Sequence, residues 1–324
     1  MKCLLRSATI LFAAVAATAN ADERDFPKHP LTIVVQQAPG GPTDVIVRSV
    51  QQKMAESLGQ SIVVENRTGA GGVIGVRSVI AAAPDGYTIG IASPTSHGLV
   101  SALYATPPYD PLKEFRPVGG IALVPGVLVS SKTLTSDCKF STLLEKIKLT
   151  EIRYGSAGIG TRSHGMGAVF AQELHSKMLH VPYRGLSLAM TDMYGGQIDI
   201  VFDSIGSAAS HVRSGKVCAL AVQAPERLAA FPDVPTFAEL GYPQLNRPDW
   251  FAMMVRKATP NAVVEKLNSA LNQALTGAET SKTLTSLGAI PTPGSPEDLS
   301  KRMNDEILFW RDMVKKAGIE KIDM

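Results

Sequence analysis

The chain has 324 residues, of which 45% are hydrophobic and 19% charged, so it is long enough for two ordinary globular domains with their own cores. Its formal net charge is +3, but the first 21 residues hold two basic residues and no acid, which leaves 30 basic against 29 acidic residues. This near balance argues against binding to nucleic acid or to an anionic membrane surface through overall charge.

The first 21 residues have the pattern of a secretory signal peptide. Lys2 and Arg6 precede a mostly apolar run over residues 8–17, and residues 19–21 have the small-x-small form of a cleavage site. We therefore predict cleavage after Ala21 and a periplasmic location. No later run of residues in the sequence is apolar for long enough to span a bilayer.

Two of the three cysteines belong to the predicted exported chain. Cys3 lies in the signal peptide, which leaves Cys138 and Cys218. Disulfides persist in oxidising compartments, so one bond between these two cysteines is compatible with the sequence. Two separate buried thiols are equally compatible, and the sequence does not decide between them.

The exported chain opens with a strand, a glycine-rich loop and an amphipathic helix. Residues 31–35 form an apolar run, and apolar residues recur at three- and four-residue steps from Val47 to Leu58. Glycines in the loop allow positive φ angles and close approach of a ligand, while the free N–H groups at the helix start favour an anion. The same residues could also serve only as a tight connection. The candidate binding residues of this loop are Pro39, Gly40, Gly41, Thr43 and Asp44.

Further strands at residues 61–65 and 88–92 alternate with a predicted helix at 76–83. Such alternation with short loops is typical of a parallel, doubly wound sheet, in which ligands lie beyond the carboxyl ends of the strands. Ser93 follows the third strand, so we expect it to face the same cleft as the first loop. The glycine-dense stretch at 66–75 lacks the G-x-G-x-x-G spacing of a dinucleotide site, which argues against a nucleotide cofactor.

The opening pattern occurs again near the middle of the chain. Residues 152–156 end a strand, and a loop of glycines and hydroxyl side chains leads into a helix with apolar positions between Met166 and Leu174. The candidate binding residues here are Ser156, Gly160, Thr161 and Ser163. Two helix N-termini from two domains could close on one carboxylate, and this pairing is more specific than either loop alone.

Two later turns add weaker candidates for the far end of a ligand. Tyr183 and Arg184 follow a strand that ends near Pro182, and Asp203 ends the strand that begins at Ile198. Asp203 could equally be a helix cap or a surface charge. If its carboxylate reaches the cleft, we expect it to favour an ammonium group on the ligand and to disfavour a second carboxylate there.

With both loops in view, the chain resembles the Bug-type periplasmic solute-binding proteins of tripartite tricarboxylate transporters. The resemblance covers nearly the whole exported chain, and its motifs occur in the expected order. They lie at residues 38–44, 65–72, 84–88, 158–164, 181–185, 195–199 and 233–236, followed by Pro260 and Trp310. Two departures affect the second-domain side of the cleft. Arg162 stands where the family usually has a small or polar residue, and residues 148–151 lack its usual Pro-Gly.

The resemblance implies a periplasmic binding protein fold of the type II kind, with two doubly wound α/β domains joined by a hinge around a central cleft. It implies a first domain at residues 22–124 and 250–324 and a second domain at residues 125–249. The protein would be a monomer without a cofactor, and the two loops would grip one carboxylate partly through backbone amides and ordered water. The cargo would be a di- or tricarboxylate, an acidic amino acid or an aromatic carboxylate.

The resemblance leaves the output of binding open. The loaded protein would deliver its ligand to membrane transporter subunits, or the closed form would instead dock on a sensor kinase. Both outputs use the same binding fold, so the sequence of this chain does not separate them. The genes beside its own would, because membrane subunits encoded there favour transport.

An exported hydrolase is the competing class of protein. Ser163, His164 and Asp203 are the residue types of a catalytic triad. However, adjacent Ser163 and His164 at a helix start point in different directions, and the sequence has no Gly-x-Ser-x-Gly elbow. The six histidines show no metal-binding spacing, since the closest pair, His175 and His180, is five residues apart. We therefore predict a binding protein with no catalytic residues and no metal.

Overall fold

The computed structural model of the chain describes residues 25–316, 318, 319 and 321, so the predicted signal peptide lies outside the described residues. In chain order the strands are β1 (Leu31–Val35), β2 (Ile62–Asn66), β3 (Thr88–Ala92), β4 (Phe115–Val124), β5 (Gly126–Ser131), β6 (Ile152–Ser156), β7 (Met178–Pro182), β8 (Ile200–Ser204), β9 (Val217–Gln223), β10 (Asp249–Arg256) and β11 (Ile290–Pro291). The helices are α1 (Pro42–Leu58), α2 (Val73–Ile80), α3 (Val100–Leu103), α4 (Pro111–Glu114), α5 (Phe140–Leu149), α6 (Arg162–Glu173), α7 (Leu186–Tyr194), α8 (Ile205–Arg213), α9 (Asn261–Thr276), α10 (Ala278–Ser286) and α11 (Pro296–Lys316). Residues Pro94–Leu99 form a π-helical turn, and Ala70–Gly72 and Pro243–Leu245 form 3-10 turns. Of these described helices, none is long and apolar enough to cross a bilayer.

The described strands form two sheets. The first has the order β11-β4-β10-β3-β1-β2, and the second has the order β7-β6-β8-β5-β9. β1 pairs in parallel with β2 and β3, and β6 pairs in parallel with β7 and β8. The parallel core of each sheet is extended by antiparallel strands: β10 pairs antiparallel with β3 and β4, β11 with β4, and β5 with β8 and β9. β10 enters the first sheet on the return from the second, and its antiparallel direction leaves no local sequence signal.

Helices cover both faces of the first sheet, which explains why β1 reads as an uninterrupted apolar run. Ile33 and Val35 lie in a core with apolar residues of α1 and α9. Val34 faces the opposite way, into a core with Val76 of α2 and Leu299 of α11. The carboxyl end of β1 is therefore fixed between two packed layers, and the first loop begins from a rigid support.

The backbone passes between the two sheets at two places in the described chain. Only Pro125 separates β4 from β5, and a longer segment joins β9 to β10. Helix α11 adds a further connection, because its Leu299 packs in a core of the first sheet, whereas its Trp310 and Met313 pack in a core of the second. The sheets change close to the predicted domain boundaries, but the assignment of α11 to the first domain stays a prediction.

Cys138 and Cys218 are joined by a disulfide, with their sulfur atoms 2.07 Å apart. The bond links the segment after β5 to β9 across a sequence separation of 80 residues. Cys218 lies in the core beneath the second sheet, beside Leu220 and Phe237. Of the two alternatives that the sequence left open, the structure has the bonded form.

Candidate functional site

The first candidate loop and Ser93 lie at one edge of the first sheet. β1 and β3 run parallel in register, with Ile33 opposite Ile89 and Val34 opposite Gly90, so their carboxyl ends meet at the same edge. The loop after β1 leads to α1, and Ser93 directly follows β3. This is the arrangement in which open α/β sheets bind ligands.

The start of α1 offers unpaired backbone donors. Gly41 is the N-cap, has no side chain with which to cap the helix, and is followed by Pro42 in the first turn. The amides of Thr43 and Asp44 have no acceptor among the described residues, whereas the amide of Val45 donates to the carbonyl of Gly41. Unpaired N–H groups at the positive end of a 17-residue helix favour an anion.

Asp44 shapes this loop through its side chain and does not leave the carboxylate free for a ligand. The carboxylate is buried and accepts hydrogen bonds from the Gly40 amide at 2.9 Å, Arg48 Nε at 2.8 Å and Asn66 Nδ2 at 2.9 Å. The hydrogen bond from Arg48, with those from Gly40 and Asn66, lowers the pKa of Asp44 to about 2. Gly40, which has φ +75°, therefore donates its amide to Asp44, and the amide of Gly41 donates to the Ala38 carbonyl at 3.2 Å.

Ser93 caps the π-helical turn after β3. Its Oγ accepts from the Ser96 amide, and the Ser96 hydroxyl accepts from the Ser93 amide, so the two residues form a reciprocal capping box. Ser93 is buried, whereas Pro39 of the first loop is exposed. Ser93 thus holds the turn after β3 in place, and only a small part of the Ser93 side chain is accessible to a ligand.

The second loop is held together by its own hydroxyl groups. The Thr161 hydroxyl donates to the Gly158 carbonyl at 2.7 Å, and the Ser163 hydroxyl accepts from the Ala157 amide at 3.0 Å. Thr161 is the N-cap of α6 and accepts from the His164 amide at 3.5 Å. The amides of Arg162 and Ser163 have no acceptor in the described part of the chain. The start of α6 therefore repeats the arrangement of unpaired amides at the start of α1, with hydroxyl side chains beside it.

Two histidines that the sequence did not single out as site residues support this loop. His180 Nε2 lies 2.6 Å from the Ser156 hydroxyl, and His164 Nδ1 accepts from the Gly160 amide at 3.3 Å. The two imidazoles stack with centroids 4.1 Å apart, and His180 also stacks on Tyr154 at 4.9 Å. Burial lowers the pKa of both histidines, and with the neighbouring His164 it brings that of His180 to about 4. Neutral imidazoles therefore hold the loop in place.

The weaker candidates lie at the same edge of the second sheet but differ in availability. Tyr183 donates its hydroxyl to Asp192 at 2.8 Å, and its amide donates to the Ser156 carbonyl at 3.0 Å. Arg184 is exposed and has no hydrogen bond or ion pair to another described residue. Asp203 is buried, and its carboxylate accepts from the Ser204 amide at 2.7 Å and the Ser207 hydroxyl at 2.8 Å. Asp203 is therefore neither the helix cap nor a surface charge, because Ser204 is the N-cap of α8 and Asp203 is a buried residue near the end of β8.

The geometry does not assemble a catalytic triad from Ser163, His164 and Asp203. The Ser163 hydroxyl contacts Ala157 and Thr161, whereas the imidazole of His164 faces Gly160. Within residues 25–316, no cluster of three or more histidine, cysteine or acidic side chains could hold a metal ion. The two loops present backbone amides and hydroxyl groups, which are groups that can hydrogen-bond an anion.

Two α/β sheets, joined by a crossing at Pro125 and by a longer segment between β9 and β10, with a glycine-rich loop and a helix start at the carboxyl edge of the parallel strands in each, define the class of the periplasmic solute-binding proteins. The chain belongs to the family described as the tripartite tricarboxylate transporter family receptor, whose model matches residues 46–319. The predicted family and fold are thereby confirmed.

Relatives of this chain match it over nearly its full length. BugT of Bordetella pertussis is 34% identical over 313 residues, which cover 95% of each chain. Among solved structures, MatC from Rhodopseudomonas palustris with bound malate is 34% identical, with a TM-score of 0.76 over 89% of this chain and 100% of that chain. The R. palustris protein Rpa4515 with adipate is 30% identical, with a TM-score of 0.79 over 92% of this chain and 100% of that chain.

Proposed function

We propose that this protein captures a small carboxylate outside the cytoplasm and delivers it to the membrane subunits of a tripartite tricarboxylate-type transporter. The observation that carries the proposal is the pair of helix N-termini whose first amides have no acceptor among the described residues. The unpaired amides of Thr43 and Asp44 supply one end of the grip, and those of Arg162 and Ser163 supply the other. Charge-assisted hydrogen bonds to these amides strengthen when closure of the two domains excludes water.

The charges around the two loops favour a dicarboxylate over an amino acid. Asp44 and Asp203 already accept hydrogen bonds from protein groups, so neither is presented as a partner for an ammonium group. Arg184 is exposed at the same edge and has no partner among the described side chains, which suits a second carboxylate. Malate and adipate, the ligands of MatC and Rpa4515, each carry two carboxylates, which supports the same choice.

The proposed contact set keeps the residues that the sequence singled out but changes the groups that they use. Thr43, Asp44, Arg162 and Ser163 contribute backbone amides, and Gly41 permits close approach. Further contacts of the proposed set come from Pro39, Gly40, Ser93, Ser156, Gly160, Thr161, Tyr183 and Arg184. The carboxylate of Asp203 is left out of the set, because Ser204 and Ser207 already bind it.

The proposal is tested by ligand-induced thermal stabilisation of the mature protein. The protein is first unfolded and refolded, so that a carboxylate retained during purification is removed. A panel of mono-, di- and tricarboxylates, acidic and neutral amino acids, aromatic carboxylates and neutral sugars is then compared. A ligand present at a hundredfold excess over its dissociation constant stabilises the fold by about 2.7 kcal/mol, which is several degrees in melting temperature.

We expect the stabilisation to be confined to carboxylates and to be largest for dicarboxylates. The diamide of the best dicarboxylate is the matched control, because it has the same length but no charge. Equal stabilisation by the diamide, or stabilisation by sugars alone, would contradict the proposed anion site. A folded, ligand-free protein that responds to none of the carboxylates would refute the proposed function altogether.

A further inference from the structure

Both tryptophans of the chain donate to one buried carboxylate on α11. The Trp310 indole N–H donates to Glu306 Oε1 at 2.7 Å, and the Trp250 indole N–H donates to Oε2 at 3.3 Å. Arg247 Nη2 also donates to Oε2, at 3.0 Å. Trp250 belongs to β10 of the first sheet, and Arg247 belongs to the segment that joins β9 to β10, so Glu306 lies where three parts of the chain meet.

Arg162 extends this network to the second candidate loop. Arg162 opens α6 between Thr161 and Ser163, and its Nη2 donates to the carbonyl of Arg247 through a short hydrogen bond. Its Nη1 and Nη2 both lie 3.3 Å from Gln223 Oε1, at the end of β9. The departure from the family pattern at this position therefore has a local reason, because the guanidinium ties the loop to the returning segment at the hinge.

Trp310 packs between the start of α6, which follows β6 of the second sheet, and the turn after β3 of the first sheet. A Cβ atom placed on Gly165 of α6 would lie 2.6 Å from Trp310 Cζ3, and one placed on Gly98 would lie 2.6 Å from Trp310 Cδ1. Gly98 belongs to the turn that Ser93 caps, at the edge of the first sheet. The indole thus fills the space between the ligand-binding edges of both sheets, and a rotation of one sheet against the other must move it.

We propose that Arg162 and Glu306 are positioning residues that couple closure on the ligand to the hinge, and that the environments of Trp250 and Trp310 change with closure. This inference rests on the proposed function, because it needs a ligand that draws the start of α6 toward the first sheet. Movement of α6 shifts Arg162, which pulls on Gln223 and on the Arg247 carbonyl. The hydrogen bond from the guanidinium of Arg247, which stacks on Phe309 at 3.9 Å, to Glu306 then changes. The hydrogen bonds from both indoles to Glu306 change with it.

The test uses Arg162→Met in the full mature protein, which keeps an apolar stem and removes the guanidinium. Arg227→Met is the control for loss of a hydrogen-bonded guanidinium, because Arg227 is exposed and donates to Glu239 away from Glu306 and both tryptophans. Arg162→Lys is the conservative variant, since its ammonium can reach one acceptor but cannot span two. Tryptophan emission is recorded with and without malate and adipate, and affinity is measured separately by calorimetry.

We expect ligand to change the tryptophan emission of the wild type and of Arg227→Met equally. In Arg162→Met, the emission of the ligand-free protein shifts, the ligand-induced change falls below half, and the affinity falls about tenfold, the usual loss for a hydrogen bond to a charged group. Arg162→Lys recovers part of both. Wild-type affinity together with a wild-type emission change in Arg162→Met would overturn the proposed coupling.

A ligand-independent arm separates this inference from the proposed function. If calorimetry detects no carboxylate binding to the wild type, the proposed function fails, but the emission of ligand-free Arg162→Met still reports on the link to Glu306. An emission spectrum identical to that of Arg227→Met would overturn the link. Glu306→Gln, which keeps the side-chain shape, provides a second variant, and unchanged emission in that variant would also count against the network.

Discussion

At the scale of single residues, the site depends on side chains that hold backbone amides in place. Asp44 accepts from the Gly40 amide and from Asn66, which follows in β2, so its carboxylate fixes the first loop. His164 and His180 do the same for the second loop through Gly160 and Ser156. The ligand would therefore meet amides whose directions are set before it arrives, which limits the entropy lost on binding.

Replacement of Asp44 by asparagine should weaken both the fold and the ligand site. The folded pKa of Asp44 is about 2, below the ordinary value of 3.8, so its carboxylate stabilises the protein above pH 4 by about 2 kcal/mol and loses this effect as the pH falls toward 2. Urea unfolding of wild type and Asp44→Asn at pH 6 and pH 2.5 measures the difference. A stability gap that is as large at pH 2.5 as at pH 6 would contradict the charged role of Asp44.

His180 should make stability fall on mild acidification. Its pKa is lowered from 6.5 to about 4, mainly by burial, so the unfolded chain binds more protons between these values, and stability decreases as the pH drops from about 6.5 to 4. His180→Phe keeps a ring against Tyr154 but cannot take up a proton. We expect urea midpoints at pH 7 and pH 5 to differ less in His180→Phe than in the wild type.

The control for this experiment removes a histidine from elsewhere in the chain. His29 is exposed and stacks on Tyr87 with centroids 3.7 Å apart, so His29→Phe makes the same chemical change far from the second loop. His29→Phe should keep the wild-type difference between pH 7 and pH 5. If both variants reduce the pH dependence of stability equally, the effect does not come from the stacked His164 and His180.

At the scale of elements, most strands and helices could be predicted from residues that are close together in the sequence. The apolar run of β1, the Gly-rich loop and the helical spacing of α1 are contiguous in sequence, and the structure has them at almost the predicted bounds. The role of Asp44 was not predictable in the same way, because its partner Asn66 lies 22 residues away, and His180 lies 24 residues from Ser156. Their contacts follow from strand pairing, which places His180 opposite Tyr154 across β6 and β7.

The disulfide should stabilise the element pair that it joins. The bond closes a loop with a sequence separation of 80 residues, for which the chain-entropy model gives about 4.5 kcal/mol. We expect Cys138→Ser/Cys218→Ser to lower the melting temperature and to abolish the sensitivity of the protein to reductant. The double variant removes both thiols, so no unpaired cysteine is left to oxidise or to form disulfides between molecules. A wild type whose melting temperature is unaffected by full reduction would contradict a stabilising bond.

At the scale of the whole molecule, three segments connect the two sheets: the crossing at Pro125, the segment between β9 and β10, and α11. The third segment was not anticipated as a connection, because its apolar stripe from Leu299 to Val314 reads as one continuous packing face. In the structure that stripe packs against the first sheet near its start and against the second near its end. The proposed closure would therefore bend or shift α11, and Glu306 and Trp310 lie on the part of the helix that would report it.

The central claim is that the first turns of α1 and α6 hold the same carboxylate. Amide hydrogen exchange of residues 36–47 and 157–166, measured with and without a saturating dicarboxylate, tests this claim most directly. The unpaired amides of Thr43, Asp44, Arg162 and Ser163 should exchange quickly in the free protein, and exchange of both segments should slow together on binding. Ligand binding that protects only one segment, or protects neither of them, would contradict the account.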